Sequence, residues 1–284
     1  MKRGLRVVSS IAFLLVMYYL LQMLFLTVTM KLAVMAAAFA GTVPPETMTL
    51  VNDVQFVEAH PAVKLCLVDA QAVGIFLSAF TMLLLIHMTG AYRLRLGLLR
   101  SIAPKPLLIS TLLVFSSMFA LNIFVQWFPL EDNMADVFSG LSRNALGVFS
   151  LAILAPLLEE VLFRGAIQGM LMRYFGRPWP AIIVSALVFG VFHLNPIQVV
   201  YATLLGIVLG WIYYRTGSLL SVIVGHVLNN SLAVATTVAY GPAEEQAVAN
   251  STAGVAGFLF FAVMSVYLAV KLNKEMQEKL KGEI

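Results

Sequence analysis

Apolar residues run along this chain in long stretches broken by short polar segments, with no strand-like alternation of period two. A helix needs about 20 apolar residues to span the hydrocarbon core of a bilayer. On that measure the pattern predicts eight helical spans, at about 10–38, 65–89, 106–128, 145–172, 179–195, 197–214, 218–240 and 254–272. Lys31 interrupts the first, which is therefore either long and tilted or broken at that point. The fifth and sixth are short and meet at "HLNPIQ", where Pro196 predicts a tight turn between antiparallel helices. Between the spans, the segment 40–63 predicts a short surface element, and "LEDNMADVFSGLSRN" predicts an interfacial helix leading into the fourth span.

Composition narrows the class. The chain has 284 residues, of which 61% are hydrophobic and 11% charged. Soluble globular chains are roughly 45–50% apolar, so the expectation is an all-α, polytopic membrane bundle forming one domain over residues 1–284. The basic start and long apolar run of the N-terminus exceed a signal h-region of about 7–15 residues, which predicts a retained first helix. The single cysteine, Cys66, excludes an internal disulfide framework. It reads as a buried small hydrophobe near a helix start.

The net charge of +4 does not mark a nucleic-acid binder, because its distribution is that of a membrane topology. With the N-terminus cytoplasmic, 14 of the 18 Lys and Arg residues fall on the cytoplasmic side, among them Arg93, Arg95, Arg100, Arg173, Arg177, Arg215 and Lys281. Lys64 and Arg143 fall outside, where the loops are acidic, with Glu58, Asp132, Glu244 and Glu245. This asymmetry predicts eight spans in a cell membrane, which in a prokaryote would be the cytoplasmic membrane, with both termini inside.

The chemistry is concentrated in a few ionisable groups that lipid alone would not tolerate. "LAPLLEEVLFRGAIQG", residues 154–169, carries Glu159, Glu160 and Arg164 inside the fourth span. Each costs about 2.5–3.5 kcal/mol at the bilayer centre on insertion scales. Glu160 and Arg164 are four apart and share a helical face, so they can pair. Glu159 points about 100° away and is left without a local countercharge. Pro156, one turn earlier, removes a helix hydrogen bond and opens backbone near the carboxylates. The fifth span carries Phe189 and His193, and the seventh carries His226 and Asn230, each pair four apart. At 1.5 Å per residue, Glu159, His193 and His226 lie about 20, 21 and 12 Å from the cytoplasmic ends of their spans, so one mid-membrane layer can hold all three.

A carboxylate beside a neutral imidazole can hold a water and take its proton. A second imidazole and a carboxamide on one face can donate to an oxyanion. The set is complete for peptide hydrolysis without a Ser or Cys nucleophile, and it needs no cofactor. Three other readings compete with it. Glu159, His193 and His226 could be three ligands of a catalytic zinc, although the short HExxH pattern is absent. Midplane carboxylates also suit a transporter, but no inverted repeat is visible. A membrane scaffold with dispensable catalysis is the third.

The three motifs "EEVLFR", "FGVFH" and "HVLNN" match EExxxR, FxxxH and HxxxN in that order. In this the chain resembles the CAAX-protease and bacteriocin-processing family, also called the Abi family, of intramembrane glutamic endopeptidases. The resemblance covers roughly residues 145–240, the expected catalytic core, and residues 1–105 carry no such motif. It implies Glu159 as the catalytic glutamate, with His193 helping to bind and activate the water. It implies His226 and Asn230 as the oxyanion-stabilising pair, and Glu160 with Arg164 as a supporting ion pair. Asn229 lies outside the motif. The partners implied are the lipid bilayer and a peptide or protein substrate, prenylated or otherwise membrane-associated.

Overall fold

The computed structural model describes residues 2–50, 52–90, 102–239 and 248–282. Arg93, Arg95, Arg100, Glu244 and Glu245, which enter the topology argument, lie outside the described residues, as does the side chain of Lys281. Each predicted span is a helix: α1 (Lys2–Phe39), α2 (Pro61–Met88), α3 (Pro104–Gln126), α4 (Ala145–Phe175), α5 (Pro178–Phe192), α6 (Pro196–Thr216), α7 (Leu219–Ala239) and α8 (Thr252–Gly282). Seven are long and apolar enough to cross a membrane. The exception is α5, whose 15 residues span about 22 Å, short of the roughly 30 Å hydrocarbon core. Its ends explain its length: Pro178 sits at the first turn, and Asn195, ahead of Pro196, is held in extended backbone.

Elsewhere the local pattern holds. α1 runs unbroken past Lys31, whose side chain is exposed. The 40–63 segment forms two short helices, Thr47–Leu50 and Val54–Ala59, the second capped by the Asp53 carboxylate. The interfacial segment forms Ala135–Leu141. Cys66 is half-buried on α2 rather than fully buried.

The helices pack around α4. Its most apolar window is 56% buried, against 11% for α1 and for α8. α1 lies on α2, α8 on α3, and α5 on α6, while α3 also meets α6 and α7. In lipid the helices gain little from hydrophobic burial against one another, so close packing and polar contacts must join them. Ser116 on α3 donates to the Phe261 carbonyl of α8 at 2.8 Å, and Phe119 stacks on Phe261. Trp127 Nε1 donates to the Ala249 carbonyl at 3.0 Å.

Glycines set the α5–α6 approach. A Cβ on Gly190 would lie 1.9 Å from Thr203 Oγ1 and 2.6 Å from the Val199 carbonyl oxygen. The backbone oxygen cannot swing aside, so Gly190→Ala must separate the two helices. We expect a loss of about 1–3 kcal/mol, read as a lower unfolding temperature in detergent. An unchanged melting temperature would show that the two helices do not approach this closely.

Candidate active site

The site grows out of the backbone of α4. That helix is α-helical at Ala145–Phe149, Ala155–Glu159 and Gly169–Phe175, and π-helical at Ser150–Leu154 and Glu160–Gln168. Wide π-turns recur at functional positions in helices. Pro156 accounts for the first of them, as it supplies no N–H to close a regular turn. The second begins at the glutamate pair.

Glu160 and Arg164 form the expected pair, Oε1 to Nη1 at 2.7 Å, with side chains 0% and 1% exposed. The guanidinium is held from two further sides. Its Cζ lies 4.4 Å from the Phe189 ring centroid, a cation–π contact from α5. Nη2 donates to the Gly206 carbonyl of α6 at 3.4 Å. One helical step on, Gln168 Nε2 donates to the Gly210 carbonyl at 2.9 Å. Arg164 and Gln168 thus meet Gly206 and Gly210 as two parallel rungs, each four residues apart. Gln168 is absent from the sequence-derived site, yet "GIVLG" at 206–210 is a GxxxG stripe, the signal for a close helix approach.

From α7, His226 enters the same cluster. Its Nδ1 lies 2.7 Å from Glu160 Oε1, so the carboxylate oxygen serves both Arg164 and His226. A carboxylate only accepts, so Nδ1 carries a proton, and Nε2 is left uncommitted. Nε2 faces Glu159 Oε2 at 3.6 Å, beyond a direct hydrogen bond. The Glu159 oxygen is buried and has no hydrogen-bond partner, although the side chain as a whole is 15% exposed. Glu160 Oε2 is likewise buried without a partner, but Glu160 is anchored through Oε1 by Arg164 and His226, whereas Glu159 has no such ion pair on its own helix.

His193 lies apart from this network. It caps the C-terminus of α5, and its Nδ1 donates to the Phe189 carbonyl at 2.9 Å. It makes no hydrogen bond or ion pair with either glutamate. Phe189 links it to the cluster, with its ring edge-on to His193 at 4.9 Å and to His226 at 5.9 Å. The backbone just beyond is strained: Leu194 has φ +53°, a left-handed conformation rare for a bulky side chain. Asn195, fully buried, holds that turn in place. Its Nδ2 donates to Asp132 at 2.9 Å, its Oδ1 accepts from the Asn133 N–H at 3.2 Å, and Ile197 N–H reaches the Glu131 carbonyl at 3.3 Å. The 129–134 loop thereby satisfies the polar groups of a turn that ends a short helix.

Asn230 makes no hydrogen bond with either glutamate. Its Nδ2 donates to the Leu151 carbonyl of α4 at 3.0 Å, and its Oδ1 accepts from Asn229 at 2.9 Å. Asn229, outside the motif, is the more buried of the two and bonds the Tyr201 hydroxyl of α6. A doubled asparagine and a tyrosine on apolar helices were the only sequence signals for this chain of contacts. Glu159, His193 and His226, weighed as zinc ligands, form no metal-holding group. No set of three or more His, Cys, Asp and Glu could hold a metal ion among the described residues.

The fold and site define a multi-pass helical membrane protein with two carboxylates, a guanidinium and an imidazole gathered inside the bundle. The family model described as type II CAAX prenyl endopeptidase Rce1-like matches residues 141–232, a segment that contains all three motifs. The resemblance read from those motifs is thereby borne out, as a similarity of this segment to a CAAX-type peptidase family. No curated protein and no solved structure matches the chain significantly.

Proposed function

We propose that the protein is an intramembrane peptidase in which Glu159 is the general base for an attacking water. The observation that carries this reading is the Glu159 carboxylate, buried at Oε2, unbonded there, and 3.6 Å from the uncommitted nitrogen of His226. A water donating one hydrogen to Glu159 Oε2 keeps an oxygen lone pair free for attack and a second hydrogen for another acceptor. In the reaction, the water oxygen bonds to the peptide carbonyl carbon and its proton passes to Glu159. The carbonyl π-electrons move onto oxygen. The tetrahedral intermediate then collapses, the C–N bond breaks, and Glu159 returns the proton to the leaving amine.

The other residues serve that step. His193, with Nδ1 committed to Phe189, offers Nε2 as a second acceptor for the water. Asn230 has an Nδ2–H left after bonding Leu151, and donates it to the oxyanion. His226 joins it from Nε2 whenever that nitrogen carries a proton. Two carboxylates, one guanidinium and one imidazolium then sum to zero charge, which suits a low-dielectric site. Glu160 and Arg164 orient His226 without touching substrate. The substrate is a membrane-associated protein, cut near a terminus, and the family match favours a prenylated one.

The test is cleavage by purified protein in liposomes of a prenylated and an unprenylated quenched-fluorescence peptide, with and without chelator. Cleavage that survives chelation, faster on the prenylated peptide, is the expected result. No cleavage of either peptide would overturn the proposal. Loss on chelation with recovery on adding zinc would replace the glutamate-activated water with a metal-bound one.

A further inference from the structure

The Leu151 carbonyl has lost its own helical donor. Its α-helical partner would be the Ala155 N–H, but that group donates to the Ser150 carbonyl instead. The next nitrogen along, its π-helical partner, belongs to Pro156 and carries no hydrogen. Asn230 Nδ2 fills the vacancy from α7 at 3.0 Å. A carbonyl can only accept, so Asn230 must turn its NH₂ toward Leu151 and its oxygen the other way. That oxygen accepts from Asn229 Nδ2 at 2.9 Å, which in turn directs Asn229 Oδ1 to the Tyr201 hydroxyl.

Donors and acceptors therefore run in one sense from Tyr201 on α6, through two carboxamides on α7, to bared backbone on α4. The amide of Asn230 cannot flip without breaking two bonds at once, and one of its N–H groups is left uncommitted. We propose that Asn229 and Tyr201 are positioning residues that hold Asn230 in the orientation in which its free N–H meets the oxyanion. The Leu151 carbonyl exposed by Pro156 is the fixed end of the chain. This inference rests on the proposed peptidase reading, in which Asn230 donates to the intermediate. A preorganised donor stabilises the transition state because it needs no reorientation when charge develops.

The experiment compares Asn230→Ala, Asn229→Ala, Tyr201→Phe and the double variant Asn229→Ala/Asn230→Ala on the cleaved reporter, with unfolding temperature recorded for each. Asn230→Ala should lower kcat about 100-fold, the effect of removing one oxyanion donor. Asn229→Ala and Tyr201→Phe should each lower kcat about tenfold with KM little changed, as for residues that orient a catalytic group. The double variant should be no slower than Asn230→Ala alone, because Asn229 acts only through its neighbour. If Asn229→Ala fails to fold, Tyr201→Phe, which removes one hydroxyl, decides the matter. A parent-like kcat in Tyr201→Phe, or a further tenfold loss in the double variant, would overturn the positioning role. Should Asn230→Ala cleave normally, the oxyanion role and this inference fall together while Glu159 keeps its own. An inactive parent protein removes the peptidase reading itself, whatever the variants do.

Discussion

Glu159→Gln is expected to lower turnover of the cleaved reporter by about 10²–10⁴-fold, the usual contribution of a general base, while the protein stays folded. The two side chains have nearly the same shape, but an amide oxygen cannot take the water's proton. Folding should be insensitive for a reason visible in the site. Glu159 Oε2 accepts no hydrogen bond, and His226 Nε2 stands 3.6 Å from it. Substitution removes a membrane-buried charge and breaks no bond at that oxygen, so the unfolding temperature in detergent should hold or rise. Glu160→Gln is the contrasting control, since Oε1 of that residue serves Arg164 and His226 together. It should lose stability as well as turnover. Retained hydrolysis in Glu159→Gln would remove that residue from the role of base.

Arg164→Ala should destabilise the bundle by about 3–5 kcal/mol, the cost of leaving one partner of a buried ion pair uncompensated. The guanidinium is 1% exposed and is held by the Glu160 carboxylate, the Phe189 face and the Gly206 carbonyl at once. Lysine has no planar fork to satisfy all three, so Arg164→Lys should recover little of the loss. The double variant Glu160→Gln/Arg164→Met should unfold at a higher temperature than Arg164→Ala, since neither partner of the pair is left charged. Thermal unfolding in one detergent, followed by circular dichroism, checks the series. If Arg164→Ala melts with the parent protein, the pair is not buried as the structure has it.

Much of this architecture is legible locally. The apolar stretches mark each of α1 to α8, because a helix in lipid must satisfy its own backbone and can do so from adjacent residues. The Glu160–Arg164 pair follows from a spacing of four, and Pro156 announces a disturbed turn just before the carboxylates. The short α5 was harder to see. Its apolar run continues into "HLNP", and only the left-handed Leu194 and the buried Asn195 show that the helix stops at Phe192. Asn195 can do so because Asp132, 63 residues earlier, stands against it.

Motif spacing groups residues by helix face, and it left Asn229 aside because the neighbouring Asn230 completed HxxxN. In the bundle Asn229 is buried, with α6 supplying Tyr201, and it is the link that orients Asn230. Estimated depth placed His193 and His226 alike beside Glu159, whereas in the bundle the Nδ1 of His193 is spent on its own helix end and the Nε2 of His226 stands 3.6 Å from the carboxylate.

By itself, then, the order of residues determined an all-helical membrane bundle, the faces carrying ionisable groups, and the family-matched segment. These depend on composition and on contacts within four residues. Tertiary packing alone decided which imidazole meets which glutamate, which backbone carbonyl is left for Asn230, and how the α5–α6 turn is pinned. Those partners sit on different helices, and their meeting depends on interhelical distance, glycine clearance and two π-turns, none of which a spacing rule encodes.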